Sequence, residues 1–194
     1  MGWANVITIG RGLLTIGVWV LTAYAEGASA ACWGWVFALF VLTAVTDMLD
    51  GAVARRLGQV SVFGRIADPL VDKLLVLGTL TVLVAMPEAR EVLPVWVVVL
   101  VLARELVVTA LRAAVESGGA SFQAAFWGKL KMLSQCVAVG GVLLYQAGVG
   151  WVRAAPAWLG GVSVAHAAVL LAAVLTAISL VDYLQRARRL LGRA

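Results

Sequence analysis

Six stretches of mostly apolar residues follow one another along the chain, at roughly 4–25, 32–56, 66–86, 92–116, 125–147 and 161–185. Each is about as long as the roughly 20 residues a helix needs to cross a bilayer. The breaks between them are short, among them Glu26-Gly27-Ala28-Ser29, Pro87 to Glu91, Ser117-Gly118-Gly119 and Gly148 to Pro156. Hydrocarbon offers a backbone no hydrogen-bond partner, so each span must satisfy its own peptide groups. The pattern therefore predicts an all-α fold, a polytopic membrane bundle of six transmembrane helices, in one domain over 1–194. Composition agrees: 63% of the residues are hydrophobic and 13% charged, too little polar surface for water to meet on every side. The first stretch carries Asn5, Thr8 and Arg11 and no small-residue cleavage site after a short apolar core. It is expected to remain as a span.

The 15 lysines and arginines give the formal charge of +5, and their placement sets an orientation. Arg11, Arg55, Arg56, Arg65, Lys73, Arg112, Lys129, Lys131, Arg186, Arg188, Arg189 and Arg193 fall near one side, and only Arg90 and Arg153 near the other. The excess of cations on the cytoplasmic side predicts that both termini face the cytoplasm, in a multi-pass protein of the inner membrane. Trp33, Trp35, Trp96, Trp151 and Trp158 then lie near the outer boundary, Trp3 and Trp127 near the inner one, as in an aromatic belt. The basic tail is expected to meet anionic headgroups, so the positive charge calls for no nucleic acid. Cys32 and Cys136 sit far apart in apolar runs and read as small buried side chains. His166, among alanines and valines, reads as a packing residue.

Acidic residues crowd into one place. Asp47-Met48-Leu49-Asp50-Gly51-Ala52-Val53-Ala54-Arg55 is followed, after eight residues, by Gly64, then Asp68 and Asp72. Asp47 and Asp50 are three apart at the cytoplasmic end of the second stretch, and Asp68 and Asp72 four apart in the third. Each pair shares a helix face. A hairpin would bring the pairs together, where four carboxylates repel unless cations relieve them. Ligation by carboxylates alone favours Mg²⁺, Mn²⁺ or Ca²⁺ over zinc. Two such ions can clamp a diphosphate. Gly51 and Ala54 remove bulk beside the carboxylates, for a nucleotide or for a packed helix. Pro69 is tolerated if the third helix begins only a few residues before it. Carboxylates in a span are costly and point to function. One such function is a path for cations through a small transporter, although no internal repeat of the kind transporters carry is present.

The segment resembles the signature of the CDP-alcohol phosphotransferase family at Asp47, Asp50, Gly51, Ala54, Arg55, Gly64, Asp68 and Asp72. The resemblance implies a reaction in which an alcohol attacks the lipid-bearing phosphorus of a CDP-lipid and CMP leaves. It implies two Mg²⁺ or Mn²⁺ ions held by Asp47, Asp50, Asp68 and Asp72, with Asp72 also the general base. It implies a CDP-lipid site lined by Asp50, Gly51, Ala54, Arg55 and Gly64, and a homodimer.

A second resemblance, to family members that take glycerol 3-phosphate as acceptor, covers nearly the whole chain. It rests on Ala103-Arg104-Glu105-Leu106, Leu111-Arg112, Gly128-Lys129-Leu130-Lys131 and Gln135. Asn5, Thr8 and Arg11, Asp72-Lys73-Leu74, Ser179 and Asp182-Tyr183-Leu184 extend it. Met132 departs from it, since a threonine is common there. The expected substrates are CDP-diacylglycerol and glycerol 3-phosphate, with inositol phosphate, serine or phosphatidylglycerol as alternative acceptors. The charges point the same way. Arg112, Lys129, Lys131 and Arg104 would form a cationic pocket suited to an acceptor that carries its own phosphate. The plainer alternative is that Arg104 pairs with Glu105 and the lysines are interfacial anchors.

Overall fold

The computed structural model describes the backbone of residues 3–57, 62–117, 126–156 and 159–191, and the side chains among these except at 3–8, 47–57, 62–72, 116, 126, 127, 129 and 191. Among the described residues six long helices dominate: α1 (Trp3–Tyr24), α2 (Ala30–Leu57), α3 (Val62–Ala85), α4 (Val95–Ser117), α5 (Phe126–Gln146) and α7 (Val164–Leu191). A one-turn helix α6 (Gly150–Arg153) precedes α7, and a 3-10 turn, Glu88–Glu91, links α3 to α4. Among the described residues there is no strand.

The helices match the six apolar stretches closely, and each departure has a local cause. α4 starts at Val95 and not near residue 92, because Pro94 stands before it and Val92 and Leu93 are buried in the preceding turn. α7 runs on to Leu191, past the end expected near residue 185. Hydropathy marks where apolar residues stop, whereas the helix continues through an i,i+4 pair between Asp182 and Arg186. α3 begins at Val62, so Pro69 is not in the first turn as expected; lacking an N–H, it leaves the carbonyl of Arg65 without the usual helical donor. α5 ends where Gly148 takes a φ of 76°. The amides of Gly148 and Val149 reach back to the carbonyls of Tyr145 and Leu144 at 3.0 and 3.1 Å, closing the helix with a left-handed residue that glycine adopts without strain.

The principal packing partners form a ring: α1 lies against α3 and α2, α2 against α5, α5 against α7, α7 against α4, and α4 against α3. Val36, Phe40, Leu83, Leu93, Val101, Val139, Leu143 and Val169 fill its interior. The tightest approach is between α1 and α3. A Cβ on Gly78 would lie 2.1 Å from the Trp19 ring, so only glycine lets the indole lie there. Buried threonines return their hydroxyls to their own helix: Thr22 to the Val18 carbonyl, Thr43 to Leu39 and Thr79 to Leu75.

The outward faces are as apolar as the core. Ile9, Leu13, Ile16 and Val20 form an exposed stripe on α1, and Leu171, Val174, Ile178 and Val181 another on α7. Buried charge lies inside instead, at Arg11, Arg104, Glu105 and Lys131. Among the described residues one helical segment, Val164–Leu190, is by itself long and apolar enough to cross a membrane, and Ile9–Tyr24, Ala30–Thr46 and Lys73–Ala85 are shorter apolar runs.

Candidate functional site

The backbone carries Asp47 and Asp50 in the C-terminal part of α2 and Asp68 and Asp72 in the N-terminal half of α3. The spacings of three and four residues keep each pair on one helix face, and an all-oxygen donor set of this kind fits a hard divalent cation. Their side chains, with those of Gly51, Ala54, Arg55, Gly64 and Lys129, lie outside the described residues. Among the described residues, no three acidic, histidine or cysteine side chains come together as a metal site.

The described polar cluster begins one residue later, at Lys73. It is built from α3, α4, α5 and α7, and its centre is the Glu105 carboxylate. Glu105 Oε1 accepts a hydrogen bond from Arg104 Nη1 at 2.8 Å and another from Lys131 Nζ. Oε2 lies 4.0 Å from Lys73 Nζ. Lys73 donates to Thr109 Oγ1 at 2.8 Å, and Thr109 donates to the Glu105 carbonyl at 2.7 Å.

Arg104 is held on its far side by α7. Its Nη2 donates to Ser179 Oγ at 2.6 Å, and its guanidinium lies 5.1 Å from the centre of the Tyr183 ring. Ser179 and Tyr183 are four residues apart, one turn of α7, so one helix face presents both an acceptor and an aromatic surface. Arg104 Nε is buried without a partner. Arg112 Nη2 lies 3.5 Å from the Tyr183 hydroxyl. Gly128 lets Tyr183 close on α5: a Cβ there would sit 3.3 Å from the Tyr183 oxygen. One further contact, Gln135 Nε2 to Thr176 Oγ1 at 3.0 Å, continues the α5–α7 seam toward the core.

The expected residues therefore divide. Arg104 and Lys131 meet in one buried cluster, and Arg112 borders it through Tyr183. The pairing of Arg104 with Glu105 is present, while the anchor alternative fails for Lys131, which is only 6% exposed. Lys73, Thr109, Ser179 and Tyr183 were not singled out as site residues by their chemistry. A signal existed for two of them, since Ser179 and Tyr183 are polar residues at i,i+4 in an apolar helix. Counting Lys73, Arg104, Arg112 and Lys131 against Glu105, the cluster is rich in positive charge. Such a cluster, partly withdrawn from water, attracts an anion far more strongly than the same charges on an open surface.

Comparison with known proteins bears on what that anion is. A family model described as CDP-alcohol phosphatidyltransferase matches residues 1–178. A probable phosphatidylglycerophosphate synthase of Mycobacterium tuberculosis is 38% identical over 190 residues, covering 97% of this chain and 83% of that protein. A CDP-diacylglycerol--glycerol-3-phosphate 3-phosphatidyltransferase of Bacillus subtilis is 40% identical over 108 residues, 56% of this chain and 54% of that one. A cardiolipin synthase (CMP-forming) of Streptomyces coelicolor is 35% identical over 128 residues, 66% of this chain and 57% of that one.

Proposed function

This chain belongs to the CDP-alcohol phosphatidyltransferase family, and we propose on that footing that it transfers the phosphatidyl group of CDP-diacylglycerol to glycerol 3-phosphate with release of CMP. The observation that carries the choice of acceptor is the cluster that begins at Lys73, the residue after Asp72 in the chain, where among the described residues cations outnumber the one carboxylate. An acceptor with its own phosphate complements such a cluster, and an uncharged alcohol does not. Arg104, Arg112, Lys129 and Lys131 are assigned to the acceptor phosphate. Asp50, Gly51, Ala54, Arg55 and Gly64 are assigned to the CDP-lipid.

In the proposed reaction a free hydroxyl oxygen of the acceptor attacks the lipid-bearing phosphorus, and the bond from that phosphorus to the CMP oxygen breaks. The hydroxyl proton passes to a carboxylate oxygen of Asp72, and CMP leaves. Asp47, Asp50, Asp68 and Asp72 would hold two Mg²⁺ or Mn²⁺ ions, which when bound stabilise charge on the attacking and departing oxygens.

The setting is a membrane. The long helices have 21 to 28 residues, about 32 to 42 Å at 1.5 Å per residue, enough for a hydrocarbon core of about 30 Å. Their exposed apolar stripes suit lipid as the surrounding solvent. We take all six as spans of the inner membrane, with both termini and the site on the cytoplasmic side, in a homodimer.

The resemblance to a cardiolipin synthase favours phosphatidylglycerol as a second reading of the acceptor. The test is an acceptor panel of glycerol 3-phosphate, phosphatidylglycerol, inositol phosphate and serine, each with CDP-diacylglycerol and Mg²⁺ or Mn²⁺. CMP release with glycerol 3-phosphate is expected; turnover with another alcohol and none with glycerol 3-phosphate would discard the assignment. Cation movement without any CMP release would return the protein to the transporter reading.

A further inference from the structure

The geometry around Glu105 assigns it a task that the reaction itself does not name. The carboxylate is 7% exposed, and against it stand Arg104 and Lys131, 4% and 6% exposed, with Lys73 at 4.0 Å. These three cations come from three different helices, so nothing in local sequence holds them together. Left to themselves in a poorly hydrated interior they repel, and the long lysine chains would swing toward water.

Glu105 opposes this at both of its ends. The carboxylate takes Arg104 and Lys131 on one oxygen and faces Lys73 with the other. The backbone carbonyl accepts the Thr109 hydroxyl, which in turn accepts Lys73. The cations keep donors to spare. A lysine ammonium has three N–H groups, and Arg104 Nε is buried with no partner. A carboxylate cannot itself bind a phosphate, because like charges repel. Its place is behind the cations.

We propose that Glu105 is a positioning residue of the acceptor site, gathering Lys73, Arg104 and Lys131 into the arrangement that receives the acceptor's phosphate. This rests on the phosphorylated-acceptor reading above. The contrary role is a decoy that occupies the pocket and must be displaced. The two roles differ in sign: removing a positioning carboxylate weakens acceptor binding, and removing a decoy strengthens it.

The experiment uses the full chain in detergent with CDP-diacylglycerol, measuring KM for each substrate separately. Glu105→Gln should raise the KM for glycerol 3-phosphate by about tenfold, the equivalent of one charge-assisted contact, and leave the KM for CDP-diacylglycerol within about twofold. Thr109→Val should raise the acceptor KM by about threefold, because it removes the hydroxyl that holds the Lys73 ammonium at an exposed position, and carries the test if Glu105→Gln does not accumulate as folded protein. A fall in the acceptor KM, an unchanged one, or an equal rise for both substrates overturns the inference while leaving the acceptor reading intact. Wild-type protein that ignores glycerol 3-phosphate overturns that reading instead. The same KM comparison with the phosphorylated acceptor it does use then decides Glu105, and an acceptor without phosphate ends both.

Discussion

Two polar regions of the bundle both carry arginines, an acid and a tyrosine, and treat them in opposite ways. In the region formed by the α3–α4 and α5–α6 connections, polar groups are absorbed by the backbone. Arg90 donates to the carbonyls of Val84 and Ala85 at the end of α3, and Arg153 donates to the Tyr145 carbonyl at the end of α5. Cations there meet the negative ends of the helix dipoles and carbonyls of the last helical turn. Arg153 also covers the Tyr145 ring at 5.0 Å, Tyr145 donates to Glu91 at 3.1 Å, and His166 Nδ1 lies 3.2 Å from the Glu91 carbonyl. The His166 expected to be a packing residue thus belongs to this latch. In the other region Lys73, Arg104 and Lys131 lie within α3, α4 and α5 and cap no helix. They share one carboxylate and keep unused donors. Charge in the first region is matched locally; charge in the second is left in surplus, as the proposed acceptor site requires.

Substitutions in the two regions should therefore separate by kind as well as by size. The largest effect belongs to Asp72→Asn, which should cut CMP release by about 10² to 10⁴-fold while CDP-lipid binding falls much less, since loss of a general base removes a proton acceptor. Equal losses of binding and turnover would contradict that role. Lys131→Gln comes next. Its expected signature is about a tenfold higher KM for glycerol 3-phosphate with the CDP-diacylglycerol KM unmoved, and an effect confined to the lipid substrate would break the contrast.

Outside both regions, Gly78→Ala should act on stability alone. The added methyl meets the Trp19 ring, and overpacking of this kind costs about 1 to 3 kcal/mol, read as a lower Tm in detergent with both KM values preserved in the folded fraction. The smallest effect is Tyr145→Phe at the latch, losing one partly exposed hydrogen bond, worth at most about 1 kcal/mol, with turnover unchanged. A drop in turnover there larger than that from Lys131→Gln would reverse the roles given to the two regions.

Sequence by itself determined the helices and the acidic motif. Long apolar runs with short breaks leave few options but helices, and fixed spacing between aspartates survives in any helical backbone. The break at Gly148 was legible because glycine acts on the chain locally, whereas Pro94 moved the start of α4 from the expected residue 92 to Val95. Only the tertiary structure decided which charges meet. Lys73, Glu105 and Lys131 are 26 to 58 residues apart, and Ser179 and Tyr183 lie on the far side of the chain from Lys73. Hydropathy records that each belongs inside or at an edge, but the pairing depends on the order in which helices stand around the ring, α3 beside α4 and α7 between α4 and α5. Helix order follows from packing of the whole set, as in the seat that Gly78 offers Trp19, and no single segment contains it.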